Sequence, residues 1–305
     1  MKEFFYFFRL FIKRLSKRYP SKKVLVLEGG GMRGVFLSGV LQAFVERYYF
    51  PWKLIIGSSA GALNGTAYAA GQIHLARDAF FMELHKREFI RMSNILRPEK
   101  HILDLDWMVK TIVQGEDPLN LNLLKRTCPV IITATDCRKN TAPKTIYLNT
   151  KTADIPTALK ASAAIPFLYR NFVQYENMPL LDGALLDPIP YQKALDLGYK
   201  ENEIVVVLTR KKGYRKKEES FWVRKLLEAY FDDPVHRQLV TSIDNRYQLY
   251  NRQLDELENR YAGIKVIYPP EDFRVNRLTK DKEKIMEGFS QGISAAKKFL
   301  LFHTD

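Results

Sequence analysis

Cysteine is nearly absent from this chain of 305 residues, which holds only Cys128 and Cys137. The two bracket the strand-like stretch 129–136. An extended strand at about 3.3 Å per residue keeps its ends roughly 30 Å apart, which excludes a disulfide between them. A reducing compartment agrees with that. Histidine is also scarce, with five copies, and no Cys/His spacing suits zinc, so neither a metal nor a cofactor is expected. Internal repeats and signs of disorder are missing as well. With 46% hydrophobic residues the chain can bury one large core, alone or with a helical appendage. No recognised nucleic-acid module accompanies the net charge of +14, so no nucleic-acid partner is expected. Nothing in the sequence sets an oligomeric state.

The positive charge is concentrated rather than spread. Residues 1–23 carry eight Lys/Arg and one Glu, half of the excess. On a helical wheel Phe4, Phe5, Phe8, Phe11, Ile12 and Leu15 share one side, and Arg9, Lys13, Arg14, Lys17 and Arg18 the other. This is a basic amphipathic helix, too short and too charged to span a bilayer and without the small-residue cleavage site of a secretory signal. Residues 1–20 are therefore expected to lie on an anionic membrane surface, with packing on the protein body as the alternative. The location implied is cytoplasmic, peripheral at the inner membrane face, and not secreted.

Two glycine-containing turns follow apolar strands. The first is Glu28-Gly29-Gly30-Gly31-Met32-Arg33-Gly34, between the strand near 24–28 and a helical pattern over 35–47. Backbone N–H groups at such a helix start bind negative charge. Its spacing Gly29-x-Gly31-x-x-Gly34 also satisfies the dinucleotide fingerprint, which keeps a nucleotide-binding protein as an alternative. Against it, the next strand ends in Gly57-Ser58-Ser59, where a ribose-binding carboxylate would have to stand. The second turn is Gly57-Ser58-Ser59-Ala60-Gly61, a G-x-S-x-G between strand 53–57 and helix 62–70. A serine on a sharp strand-to-helix turn presents its hydroxyl to a substrate carbonyl, so Ser59 is the candidate nucleophile.

A serine nucleophile needs a base. His74, His85, His101, His236 and His303 all lie in surface-like or packing contexts. Asp182, in Leu181-Asp182-Gly183-Ala184 at the end of an apolar segment, is better placed. Taken in order, GGGMRG, GSSAG and DGA resemble the three signatures of the patatin-like phospholipase family, over roughly residues 22–210. Thr133-Ala134-Thr135-Asp136 and Ala161-Ser162-Ala163-Ala164-Ile165-Pro166 agree with it.

The resemblance implies a Ser59–Asp182 dyad, with Ser59 as nucleophile and Asp182 as proton acceptor. It implies an oxyanion and substrate-binding loop at Gly29, Gly30, Gly31, Met32, Arg33 and Gly34, an elbow shaped by Gly57 and Gly61, and a DGA motif of Asp182, Gly183 and Ala184. The substrate would be a phospholipid, lysophospholipid or other fatty acyl ester, cleaved through an acyl-enzyme. A membrane-associated scaffold without activity is the remaining alternative. Because an unperturbed aspartate has a pKa near 3.9, the oxyanion loop is expected to carry much of the catalysis.

Strands near 24–28, 53–57, 129–135, 144–148, 172–182 and 203–209, alternating with helices, give an α/β fold: a three-layer α/β/α sandwich. The turn 138–141 reads as a hairpin, so its mainly parallel sheet is mixed. The expected organisation is an N-terminal helix over 1–21, a catalytic domain over 22–210 and a mainly helical extension over 211–305. In that extension 220–260 and 281–302 read as long helices around one strand, 264–267, that cover the core and shape the acyl-chain entrance, and 210–217 as a basic loop that is solvated or, as the alternative, meets anionic lipid. The extension carries no recognisable chemistry.

Overall fold

Strand β1 (Lys23–Leu27) reads KVLVL and buries its last four residues completely. A strand apolar on both faces needs cover on both, which is the requirement of a parallel sheet inside a layered α/β protein. The computed structural model describes residues 22–83, 89–97, 99–139, 141–231 and 237–303; the amphipathic segment 1–21, His85 and His236 lie outside the described residues. Beside β1 run β2 (Trp52–Ser58), β3 (Val130–Asp136), β4 (Lys144–Asn149), β5 (Val173–Tyr175), β6 (Met178–Asp182), β7 (Ile204–Val207) and β8 (Lys265–Ile267). They form one sheet in the order β5-β6-β3-β2-β1-β7-β8, with β4 also paired to β3. The pairs β1–β2, β2–β3, β1–β7 and β7–β8 are parallel, and β3–β4, β3–β6 and β5–β6 are antiparallel. The sheet is mixed, as the hairpin at 138–141 implied.

The helices are α1 (Val35–Glu46), α2 (Ala60–Ala69), α3 (Ile73–Asp78), α4 (Leu105–Gln114), α5 (Leu121–Arg126), α6 (Ile155–Ser162), α7 (Tyr191–Asp196), α8 (Phe221–Tyr230), α9 (Arg237–Asp244), α10 (Arg246–Asp255) and α11 (Lys282–His303). Side chains alternate along β1 and β2. Leu25, Leu27 and Ile55 join a core with α1, α2 and α11, whereas Val24, Val26, Leu54 and Ile56 join another with α7 and α10. These are the three layers. Asp104, Asn120 and Asp154 begin α4, α5 and α6 by accepting the N–H of Trp107, Leu123 and Thr157, caps worth about 1 kcal/mol each.

Two expectations need correction. The segment 172–182 is a hairpin, not one strand: Glu176 and Asn177 both take positive φ (46° and 63°), the two-residue turn whose twist suits antiparallel strands. The run 220–260 breaks into α8, α9 and α10, followed by a wider helical turn to Arg260. The last helix crosses the first at glycines. A Cβ on Gly39 would lie 2.1 Å from the Phe289 carbonyl oxygen, and one on Gly292 2.2 Å from that of Phe36, so the two backbones touch.

Candidate active site

Ser59 sits where β2 gives way to α2, with φ 52° and ψ −121°. A non-glycine residue there carries strain of about 1–3 kcal/mol, held only because its surroundings leave no other course. Those surroundings are the elbow glycines. A Cβ on Gly57 would lie 2.6 Å from the Ala62 nitrogen, and one on Gly61 2.3 Å from the Leu27 carbonyl oxygen. The Ser59 N–H donates to the Ser162 Oγ at 2.9 Å, tying the turn to the end of α6. As N-cap of α2, Ser59 also meets the positive end of the helix.

Asp182 reaches the same point from the opposite direction. β4 pairs with residues 131–136 of β3, which fills one edge of that strand. The other edge is shared: β2 occupies 130–133, and β6 occupies 134–136. Parallel β2 ends with Ser58 opposite Thr133, and antiparallel β6 ends with Asp182 opposite Ala134. Two strands running head to head along one edge thus deliver Ser59 and Asp182 to neighbouring positions. The Asp182 Oδ1 accepts the Ala184 N–H at 2.7 Å, and its main chain is fixed by the Thr135 hydroxyl (2.8 Å) and the Ala164 carbonyl (3.0 Å). Asp182 is 3% exposed. Burial pushes its pKa up to about 6, against the Ala184 N–H, the Arg277 charge and the Ser59 hydroxyl, which all favour the carboxylate.

The glycine loop is narrower in its offer than the sequence suggests. The Gly29 N–H donates to the Pro188 carbonyl, Met32 to that of Arg277, and Arg33 to that of Gly30. Met32 and Arg33 are therefore not spare amide donors. The N–H groups of Gly30 and Gly31 have no acceptor among the described residues, and both residues line the cavity at Ser59. Ahead of them Glu28, 1% exposed, accepts the Thr209 N–H and the Tyr250 hydroxyl (2.7 Å), which fixes the loop to α10. Just beyond the DGA motif, Asp187 accepts from Tyr147 (2.9 Å) and Gln253 (3.0 Å).

Two cavities meet at Ser59, sharing Gly31, Ile165 and Arg277 in their walls. One is apolar, lined by side chains such as Leu63, Phe80, Leu105, Met108, Leu159 and Ala163. The other contains Asp182, Glu28 and five cations: Arg33, Arg210, Lys216, Arg246 and Arg277. Among the described residues no histidine lines either cavity. His74 pairs with Asp117 at 2.5 Å, and His101 stacks on Tyr169 and accepts the Arg170 N–H. Among the described residues no three His, Cys, Asp or Glu side chains gather as metal ligands.

The patatin-like phospholipase profile matches residues 25–195. The chain belongs to the patatin-like phospholipase family. That makes it a member of a lipid acyl hydrolase family, with a lipid substrate. A second profile, a domain of unknown function (DUF6363), matches residues 236–302. The uncharacterized protein YjjU of Escherichia coli K12 is 28% identical over 285 residues, covering 92% of this chain and 78% of that protein. The crystal structure of VipD from Legionella pneumophila is similar in fold, with a TM-score of 0.53 at 14% identity, over 93% of this chain and 67% of that one. Among the described residues no helix of this family member is long and apolar enough to cross a membrane.

The sequence reading missed Ser162 as the acceptor for the Ser59 amide, and it missed the cations contributed after β7. Arg210 and Lys216 belong to the basic loop expected to be solvated or to meet anionic lipid, and both line the cavity. Arg246 and Arg277 share no motif or spacing with the three signatures. Only the fold brings them there.

Proposed function

We propose that the protein is a serine acyl hydrolase, of phospholipase A or lysophospholipase type, that cleaves fatty acyl esters through Ser59 and Asp182. The observation that carries this is the shared edge of β3, which sets a strained serine beside a buried carboxylate at the junction of an apolar and a polar cavity. The Ser59 Oγ attacks the ester carbonyl while Asp182 takes its proton, and Asp182 returns that proton to the leaving alcohol. Water then attacks the acyl-enzyme with Asp182 again as base. The N–H groups of Gly30 and Gly31 receive the oxyanion, and the acyl chain lies in the apolar cavity. A base near pKa 6 is ionised at neutral pH and is a far stronger proton acceptor than an ordinary aspartate.

A fluorophosphonate probe should label the protein, with labelling abolished by Ser59→Ala and reduced about 100-fold or more by Asp182→Asn. Undiminished labelling of Ser59→Ala would sink the assignment. The same reading places the enzyme peripherally on an anionic membrane through residues 1–20. Deleting them should weaken sedimentation with anionic liposomes more than ten-fold, about the contribution of two or three basic side chains, while a short soluble ester is still cleaved. Equal sedimentation before and after truncation would refute the membrane role.

A further inference from the structure

The cavity across Ser59 from the apolar one has a charge balance that ester hydrolysis alone does not require. Five cationic side chains line it against two carboxylates. Of the carboxylates, Asp182 is the proposed base, and Glu28 already accepts from Thr209 and Tyr250. The cations are in electrostatic range of one another. Burial and then Arg210 and Arg277 lower the pKa of Arg33, to about 10. Burial, Arg246 and Arg277 bring Lys216 down to about 7. Glu219 accepts from Arg246 and faces Lys216 at 3.6 Å, so it relieves one side of the group only.

Arg33 shows the deficit most directly. It is 4% exposed, its Nε donates to the Thr209 Oγ1 at 3.3 Å, and its Nη1 is buried with no hydrogen-bond partner. A buried guanidinium nitrogen without an acceptor is costly, and here it belongs to a side chain that lines an open cavity.

We propose that this cavity is a phosphate subsite, and that the substrate is an anionic glycerophospholipid whose phosphate is held by Arg33, Arg210, Arg246 and Arg277 while its acyl ester lies at Ser59. The inference rests on the hydrolase reading and deepens it by naming the head-group class. Guanidinium groups suit a phosphate because they offer paired donors in a plane. A zwitterionic head group finds no free carboxylate for its ammonium, since both carboxylates in the cavity are committed. Among anionic lipids a terminal phosphomonoester fits best, because its dianion engages more than one guanidinium. Arg246 and Arg277 come from the segment matched as a domain of unknown function. That segment thereby acquires a role: it completes the substrate site of the catalytic unit.

Two measurements on the full-length protein test this. The first compares hydrolysis of lysophosphatidic acid with that of the uncharged monoacylglycerol of the same chain. Arg246→Gln should lower kcat/KM for the phosphate ester about 10- to 100-fold more than for the neutral one, the range for losing a charge-assisted contact. Arg246 is paired with Glu219, so Arg210→Gln, whose partner is the Tyr214 ring at 4.3 Å, serves as the second variant. Equal losses on both esters in both variants would overturn the proposal.

The second measurement titrates Ser59→Ala calorimetrically with glycerol 3-phosphate and with inorganic phosphate. Saturable binding of glycerol 3-phosphate that weakens in the Arg246→Gln double variant supports the subsite, even if no ester is hydrolysed and the hydrolase reading fails. No binding of either anion overturns it. Binding of inorganic phosphate alone, without discrimination between the two esters, would assign the cavity to free phosphate and overturn the lipid assignment.

Discussion

The two cavities that meet at Ser59 differ in where their walls come from. The apolar one is built largely between residues 31 and 165, within the stretch matched by the family profile, with Arg277 and Leu278 added from beyond it. The cationic one takes Arg210, Tyr214, Lys216, Arg246, Tyr250 and Arg277 from beyond β7. The proposed acyl-binding side and the proposed dyad thus lie within the stretch matched by the family profile, whereas the cationic side is completed by the C-terminal segment. Substrate preference could then change through the second segment without disturbing the elbow.

The pH dependence should separate the two most strongly. Activity on both esters should fall about ten-fold per pH unit below pH 6, as Asp182 takes up a proton. Only the anionic ester should respond to pH near 7, where Lys216, in the same cavity, loses its charge among Arg246, Arg277 and Glu219 while the phosphomonoester gains its second. A neutral-ester profile with its acid limb near pH 4 would contradict the buried-base account. A smaller effect is expected from the apolar side. Ala163→Phe, which fills part of that cavity, should lower the preference for long-chain over butyryl esters about ten-fold, measured as a ratio of kcat/KM. An unchanged ratio would mean that the acyl chain lies elsewhere.

A separate effect concerns stability. A carboxyl whose folded pKa is raised from 3.8 to about 6 is more stable in the fold when protonated. Its favourable contribution is complete below the unfolded pKa and is lost as pH rises through 6, a change of about 3 kcal/mol. Asp182→Asn should therefore be more stable than the wild type at pH 8, by about 1–3 kcal/mol in urea unfolding, with the gain vanishing at pH 4. A gain independent of pH would point to packing rather than ionisation.

The parts of the candidate site that can be read from the sequence are those written into short stretches of chain. The glycine loop, the elbow and Leu181-Asp182-Gly183-Ala184 each combine a strand end with a turn, and such turns demand particular residues. The layered α/β fold was legible for the same reason, in the apolar runs of β1 and β3. The hairpin at 176–177 was missed because neither Glu176 nor Asn177 is a glycine, although both take up the left-handed region. The upward shift of the Asp182 pKa was not legible, because burial is a property of the fold and not of neighbours in sequence. The cationic wall was only partly legible: Arg210 and Lys216 share one basic run, whereas Arg246 and Arg277 reach the cavity only through long-range packing.

The hydrogen bond from the Met32 amide to the Arg277 carbonyl imposes an order in time. During synthesis the glycine loop, the elbow and Asp182 emerge well before the residue that clamps the loop. At roughly 5 to 20 residues per second, the stretch from Asp182 to Arg277 delays that clamp by roughly 5 to 20 s. A nascent chain would hold Ser59 and Asp182 while the loop beside them still lacked its anchor, so the proposed oxyanion loop would take its final shape only late in translation.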